Sequence, residues 1–97
     1  MSVTKKLASF VTDYNYEKTP DDAIKKAKQC ILDSLGCGLG GYNTTMGKTI
    51  VSTIKDLGGA KQSTIIGDGN MISCTQAAFI NTALTNLLDY DDTVDGI

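Results

Sequence analysis

The amino-acid sequence predicts an all-α protein with about four amphipathic helices and one short extended segment. Three observations support this fold class. Apolar residues recur at spacings of three and four in four separate stretches, which is the period of a helix with one buried face. Glycine pairs and polar turns separate these stretches. Residues 63–66, Ser-Thr-Ile-Ile, form a short β-branched run bounded by Gly67 and Gly69, as in a strand.

The first two predicted helices are the amphipathic stretches at the start of the chain. Residues 3–14 form the first, with Val3, Leu7, Phe10, Val11 and Tyr14 on one face. The second begins with Thr19 as N-cap and Pro20 at the first helical position, and it runs to about Gly40. Its end is rich in glycine, which costs about 1 kcal/mol per interior residue relative to alanine. We expect close packing against another helix to offset this cost. The apolar share is large enough that some faces are expected to pack against protein beyond these residues.

The third predicted helix covers residues 46–57. Gly58 and Gly59 end it, because a helix terminus commonly needs a residue in the left-handed conformation. Residues 41–49 before it, GYNTTMGKT, are close to the Walker A pattern of phosphate-binding loops. They have five residues between the glycines instead of four, and they follow a helix instead of a strand. We therefore interpret them as a helix–helix turn.

The last predicted helix begins at Ser73 and runs toward Asp89. Ser73 and Gln76 fit an S-x-x-Q capping box, in which each side chain binds a free backbone N–H group of the other residue. Residues 67–70, Gly-Asp-Gly-Asn, are interpreted as the turn between the extended segment and this helix. Asn86 lies among apolar residues near the helix end, and we expect it to be a hydrogen-bonded amide.

The composition excludes several classes of function. Nine lysines, eleven acidic residues and no arginine or histidine give a net charge of −2. A nucleic-acid partner is not expected, because such binders normally carry an arginine-rich basic stripe. Catalytic or metal sites that contain histidine would need residues from outside this sequence. A membrane partner is not expected either, because no apolar run reaches the length of about 18 residues that spans a bilayer. The N-terminus does not resemble a signal peptide.

The three cysteines predict a reducing environment. Cys30, Cys37 and Cys74 are odd in number and form no C-x-x-C pair, which favours a cytoplasmic location. All three lie on or near apolar helical positions. We therefore expect buried, unreactive thiols.

An acidic segment at residues 89–96, Asp-Tyr-Asp-Asp-Thr-Val-Asp-Gly, is the strongest candidate for a functional site. Its carboxylates repel one another and follow an apolar helix, where acidic groups oppose the helix dipole. Such a local conflict often marks a site. Asp91, Asp92 and Asp95 also match the DDxxD pattern with which all-α prenyl-diphosphate synthases hold Mg²⁺ and a diphosphate. A solvated acidic face without chemistry is the third interpretation.

The order of the segments resembles the N-terminal part of the MmgE/PrpD family, which includes 2-methylcitrate dehydratases and cis-aconitate decarboxylases. The family's opening helix pair is similar to LASFVTDYNYEKTPDDAIKKAKQCILDSLGCGLGG. Its extended piece, alanine-rich helix and L-D-Y-D-D-T hallmark are similar to STIIGDGNMISCTQAAFINTALTNLLDYDDT. The resemblance covers almost all 97 residues. It implies that residues 1–97 are the N-terminal part of a larger helical domain, without the family's smaller α/β lid domain.

The resemblance implies a lyase that acts on small di- or tricarboxylates. The reaction would start with proton abstraction next to a carboxylate, followed by loss of water or CO₂, or by re-protonation. The resemblance implies no metal and no other cofactor, and a homodimer. It assigns catalytic roles to Asp89, which would transfer the proton or orient the base, and to Thr93, which would hydrogen-bond a substrate carboxylate. Asp92 joins Thr93 as a substrate-binding candidate, with bracing of the loop as the alternative role of Asp91 and Asp92.

Three features of the sequence bear on this resemblance. A partly buried carboxylate among like charges has a raised pKa, which suits acid–base work, so we expect Asp89 to be partly buried. The family has a frequent histidine near the position of Asn86, and its substrate-binding cations come from later in its chain. We therefore expect the 97-residue chain alone to be inactive. Two other functions are alternatives to the lyase: a fragment of an Mg²⁺-dependent prenyl-diphosphate enzyme that uses residues 91–95, and a non-catalytic helical interaction module.

Overall fold

The structure, a computed structural model, describes residues 1–93. In this range the chain forms four α-helices, a short 3₁₀ helix and a two-stranded sheet, so the predicted all-α class with a short extended segment is confirmed. The helices are α1 (Val3–Asp13), α2 (Asp21–Tyr42), α3 (Thr45–Lys55) and α4 (Cys74–Asn86), and the 3₁₀ helix covers Tyr16–Lys18. No helix of the described part is long and apolar enough to cross a bilayer.

The extended segment pairs with a second strand that the sequence did not predict. Strand β1 (Ser63–Thr64) and strand β2 (Met71–Ile72) are antiparallel, with Ser63 opposite Ile72. Residues 67–70 therefore connect two strands instead of a strand and a helix, and both glycines of this turn have positive φ. A strand of two residues is too short to show an alternating pattern, so β2 left no signal in the sequence.

Two helix starts differ from the prediction. Pro20, not Thr19, occupies the N-cap position of α2, and no side chain caps this end. Ser73 is the N-cap of α4, but the predicted capping box does not form, since Ser73 makes no cap hydrogen bond. The buried Oε1 atom of Gln76 has no hydrogen-bond partner among the described residues. Instead, Oε1 of Gln62 accepts from the first N–H group of α4 at 3.1 Å, so a loop residue caps the helix.

Helix α4 ends at Asn86, three residues before the predicted end at Asp89. Leu87 is the C-cap, and Asp89 has a φ of 51°, in the left-handed region. The N–H group of Asp89 donates to the carbonyl oxygen of Asn86 at 2.9 Å. A left-handed residue cannot continue a right-handed helix, so the acidic segment leaves the helix earlier than the apolar periodicity predicts.

The core lies between the C-terminal half of α2, α3, α4 and the sheet. Its buried members are Val51, Ile65, Ile72, Ala77, Ile80 and Leu84. The glycines permit the expected close packing: a Cβ atom at Gly41 would overlap the carbonyl oxygen of Leu84. Thr44 Oγ1 accepts from the N–H group of Gly47 at 3.0 Å and thereby caps α3. Residues 41–49 thus contain a tight turn between α2 and α3, and their similarity to the Walker A pattern is coincidental.

The N-terminal part of the molecule has a large apolar surface. No residue of α1 is buried, and Phe10 in α1 and Leu32 in α2 are 64% and 73% exposed. The accessible surface is 7366 Å², whereas a folded monomer of this mass exposes about 5,400 Å². The radius of gyration is 16.7 Å, against about 12.5 Å for a compact domain of this length. Such an excess is typical of a segment that packs against further protein.

Candidate active site

The acidic tail, here defined as residues 87–93, folds back along α2. Sγ of Cys37 donates to the carbonyl oxygen of Tyr90 at 3.6 Å, and Sγ of Cys30 donates to Oδ2 of Asp92 at 3.7 Å. The two cysteines are seven residues apart, which is about two helical turns, so both thiols lie on the same face of α2. The tail therefore runs along this face toward the N-terminus of α2.

Asp91 and Asp92 turn to different helices. Nδ2 of Asn86 donates to both carboxylate oxygens of Asp91, at 3.1 and 3.3 Å, which confirms that Asn86 is a paired amide. Asp92 binds the Cys30 thiol with one oxygen and accepts the backbone N–H group of Thr93 with the other, at 3.1 Å. One carboxylate thus ties the tail to α4 and the other ties it to α2, which is the bracing role that the sequence left open for both.

The two catalytic candidates, Asp89 and Thr93, are both exposed. The expected partial burial of Asp89 is therefore wrong for the described residues. The left-handed backbone at Asp89 turns the chain out of α4, and four residues later Thr93 lies beside the Asp92 carboxylate. The structure places both candidates on one short tail but does not enclose them, so water would reach a substrate bound by these residues alone.

Asp92 lines a cleft of about 290 Å³ whose other walls are α2 residues, namely Lys26, Gln29, Cys30 and Asp33. Lys26 is a cation near the acidic tail that no sequence pattern predicted. The spacing of Lys26, Cys30 and Asp33 shows that they share one helical face. Nothing in the sequence indicated that the tail would fold onto that face. With one ammonium group and two carboxylates the cleft is acidic, so a substrate carboxylate would need further cations there.

Asp91 lines a second cleft, of about 400 Å³, whose other walls are polar residues of α4, namely Asn81, Thr82, Thr85 and Asn86. Asn81 is held by the chain around the sheet: its Oδ1 accepts from Ile66 N at 2.9 Å, and its Nδ2 donates to Thr64 O at 3.0 Å. These amides and hydroxyls can bind a polar ligand but supply no positive charge. Neither cleft by itself complements a polyanion.

The three cysteines have different surroundings. Cys37 is buried, with 6% of its surface exposed, Cys30 is partly buried and Cys74 is exposed, so the expectation of buried thiols is wrong for Cys74. Burial raises the pKa of the Cys37 thiol, and the carboxylates of Asp33 and Asp91 raise it further. The Cys37 thiol therefore stays protonated at neutral pH and remains a hydrogen-bond donor to the tail.

The described residues do not provide a metal site. Within residues 1–93 no group of three or more histidine, cysteine, aspartate or glutamate side chains is arranged to hold a metal ion. Of the DDxxD acids, Asp91 and Asp92 bind different partners, and Asp95 lies outside the described residues.

A separate polar cluster stabilises the turn at residues 67–70. Nζ of Lys55 lies 3.2 Å from Oδ2 of Asp68, and Nδ2 of Asn70 and the Tyr42 hydroxyl also donate to this carboxylate, at 2.7 and 3.5 Å. Burial acts to raise the pKa of Asp68, but the hydrogen bonds from Asn70 and the Lys55 ammonium outweigh burial and lower the pKa. Every polar contact of Asp68 is within this cluster, so its role is to join the turn to α2 and α3.

Comparison with known proteins gives a family for the chain. Residues 5–96 match the MmgE/PrpD N-terminal domain. The cis-aconitate decarboxylase of Mus musculus is 31% identical over 95% of this chain, and that of Homo sapiens is 29% identical over 95%. The 2-methylcitrate dehydratase of Salmonella typhi is 34% identical over 86% of this chain. The chain spans only 18–19% of the length of these relatives. No solved structure matches. Since the family match covers nearly the whole chain, the chain belongs to the MmgE/PrpD family.

Proposed function

We propose that this chain is the N-terminal segment of a lyase that acts on small di- or tricarboxylates without a metal ion. The observation that carries the proposal is the family match over residues 5–96, with relatives that are named as a dehydratase and a decarboxylase. About four fifths of each of these relatives lies outside the aligned region. The groups that the described residues lack would come from that larger part.

The tail supplies two groups suited to this chemistry. Dehydration removes a proton from the carbon next to a carboxylate and a hydroxide from the neighbouring carbon. The Asp89 carboxylate is the group that would take or relay the proton, and the Thr93 hydroxyl would donate a hydrogen bond to a substrate carboxylate. Asp92 is negatively charged, so it would bind a substrate hydroxyl and not a carboxylate.

Electrostatics explain why further chain would be needed. The protein has a net charge of −2, and the cleft beside Asp92 holds one ammonium group, that of Lys26, against two carboxylates. A polycarboxylate would be repelled from such a site until more cations or N–H donors were added. We therefore propose that the 97-residue chain alone is inactive and that Lys26 contributes one of several positive charges.

The two alternatives have less support. An interaction module that folds independently would bury its apolar residues. This chain instead exposes Phe10 and Leu32, and its accessible surface is about 2,000 Å² larger than that of a compact monomer of its mass. A prenyl-diphosphate enzyme needs its carboxylates aimed at shared Mg²⁺ ions, whereas Asp91 and Asp92 bind Asn86 and Cys30. A homodimer and a cytoplasmic location belong to the proposal, the latter supported by three free cysteines.

The proposal is tested on the polypeptide as its source produces it. Turnover of 2-methylcitrate and of cis-aconitate is followed by proton NMR, with and without EDTA. We expect turnover of one of them that EDTA does not abolish. Failure of both substrates, together with Mg²⁺-dependent binding of a prenyl diphosphate, would favour the diphosphate enzyme instead. Turnover by the isolated 97-residue chain would refute its inactivity.

Variants then test the assigned residues. Asp89→Asn should lower kcat/KM by about 10²–10⁴ because it removes the proton-transfer group. Thr93→Ala should raise KM, and Thr93→Ser should restore it, because serine keeps the hydroxyl. Asp56→Asn changes an exposed carboxylate at the end of α3 and is the matched control. Equal rates for Asp89→Asn and Asp56→Asn would remove Asp89 from the mechanism.

A further inference from the structure

We propose that Cys30 and Cys37 are positioning residues: their thiols clamp the acidic tail onto α2 and set the conformation in which the tail presents Asp89 and Thr93. The catalytic meaning of this thiol clamp rests on the proposed function. The clamp itself is a statement about structure, and it can be tested without any activity.

Each of the two catalytic candidates, Asp89 and Thr93, lies next to a residue that one of the thiols contacts. Sγ of Cys37 holds the backbone carbonyl one residue after Asp89, at 3.6 Å. Sγ of Cys30 holds the carboxylate one residue before Thr93, at 3.7 Å. Each candidate is thus adjacent to one anchor, and the anchors are two helical turns apart on a rigid helix. Displacing either anchor would shift the neighbouring candidate relative to α2.

Few other interactions link the tail to α2. Leu88 is half-exposed and packs over Gly40, but Tyr90 is exposed, so the part of the tail beyond Leu88 buries little apolar surface. The Asn86–Asp91 hydrogen bonds fix the tail to α4, from which it departs, and not to α2. Within residues 1–93 the two thiols make the side-chain hydrogen bonds between the tail and α2.

The chemistry of a thiol fits this position. The tail brings the carboxylates of Asp91 and Asp92 close to Asp33 of α2. A negatively charged side chain at the cysteine positions would therefore repel the tail. A protonated thiol is uncharged and donates one weak hydrogen bond, and the rest of the side chain is apolar. It can therefore be buried without leaving unsatisfied polar atoms. Burial and the neighbouring carboxylates favour the protonated form of Cys37, which keeps the anchor a donor at neutral pH.

Amide hydrogen exchange of the polypeptide as its source produces it tests the clamp directly. The double variant Cys30→Ala/Cys37→Ala removes both donors, and the exchange of residues 87–93 should become about fivefold faster or more. The double variant Cys30→Ser/Cys37→Ser keeps an O–H donor at each position and should restore most of the protection. Cys74→Ala removes an exposed thiol outside the clamp and should change nothing.

Two results would overturn the clamp. The first is an amide exchange rate in residues 87–93 of the double alanine variant that equals the wild-type rate. The second is equal acceleration in the serine and alanine variants, because the volume of the side chains and not the donors would then matter. Residues 77–84 of the α4 core are the internal reference. If they also lose protection, Cys30→Ala alone replaces the double variant, because Cys30 is only partly buried. Its acceleration should be confined to the end of the tail near Asp92.

Activity provides the readout that separates the clamp from the proposed function. The double alanine variant should lower kcat about tenfold, with a smaller change in KM, because the candidate groups are misplaced and not removed. The serine variant should recover kcat. If the wild type has no turnover, the proposed function fails while the exchange data still decide the clamp. If the wild type and the alanine variant turn over equally, the positioning role of the two thiols in catalysis is refuted and the function stands.

Discussion

The two halves of α2 have opposite environments although they belong to one continuous helix. The C-terminal half buries Cys37, Gly38 and Gly41 against α4 and the chain around the sheet. The half that begins at Asp21 buries no residue, and Leu32 is among its most exposed side chains. Helices gain most of their stability from tertiary packing. The packed half therefore holds α2 in place, and the open half presents Lys26 and Cys30 to the acidic tail, together with an uncovered apolar surface.

Glycine shows the same contrast within α2. A Cβ atom at Gly41 would overlap the backbone of Leu84, whereas a Cβ atom at Gly36 would meet nothing within 4 Å. At Gly41 close packing offsets the low helix propensity of glycine. At Gly36 no contact within the described residues offsets it. We propose that the surface around Gly36 packs against further protein.

The largest expected effect concerns the packed core. Ile80 has no exposed surface, so Ile80→Ala should lower the free energy of unfolding by about 3–4 kcal/mol through lost burial and a cavity. Ile31→Ala, in the open half of α2, is the matched control and should change it by less than about 0.5 kcal/mol. Urea unfolding followed by circular dichroism measures both. Similar losses for the two variants would mean that the open half is covered.

Substitution of the packed glycine should have the next largest effect. Gly41→Ala forces α2 away from α4 because its methyl group would overlap the Leu84 carbonyl, and we expect a loss of about 2–3 kcal/mol. The same urea titration of this variant measures the loss. An unchanged midpoint would show that the two helices can separate without cost, which contradicts the close packing described above.

A smaller effect is expected at the turn that seals the packed region. Asp68→Asn should cost about 1 kcal/mol, because Lys55 loses its partner in a partly exposed ion pair. The pKa of Asp68 is lowered in the folded state, so the unfolded state binds more protons in acid. The stabilisation is present above the unfolded pKa of about 3.9 and is lost as the pH falls through the lower folded value. Thermal unfolding between pH 7 and pH 3 should therefore show the wild type and the variant converging, whereas a constant difference would contradict the ion pair.

The smallest effect should be at Gly36, and its sign is informative. Gly36→Ala should stabilise the 97-residue chain by about 0.5–1 kcal/mol, because alanine fits the open surface and favours the helix. In a longer polypeptide that covers this face, the same substitution should destabilise. Melting temperatures of the two forms, each compared with its own wild type, provide the measurement. The same stabilisation in both forms would show that nothing packs closely on this face.

Local patterns predicted most of the helices. The three- and four-residue spacing of apolar residues placed all four, and the structure moves most ends by one to three residues. Gly58 and Gly59 have positive φ, as a helix stop requires. The predicted capping box at Ser73 does not form, and Oε1 of Gln62, eleven residues earlier, instead caps the helix by accepting from the N–H group of Cys74. A competitor from a distant loop cannot be seen in a four-residue motif.

The site could be predicted only in part. Asp89, Asp92 and Thr93 were identified from a family resemblance, because a run of acidic residues does not by itself specify a chemistry. The contacts that organise the tail join residues far apart in sequence: Cys30 and Asp92 are 62 positions apart. The burial expected for Asp89 was wrong because the chain leaves α4 early, at a left-handed turn that the residue type alone does not require.

The sequence by itself determined the class of fold, the helices and the acidic tail, because these depend on interactions between neighbours within a few residues. Tertiary structure decided that the tail lies on the face of α2 that carries Cys30 and Cys37, that Lys26 lines the cleft with Asp92, and that half of α2 stays uncovered. Such features depend on which helix faces meet. Many pairings of apolar faces bury comparable surface, and only the packing of the whole chain selects one of them.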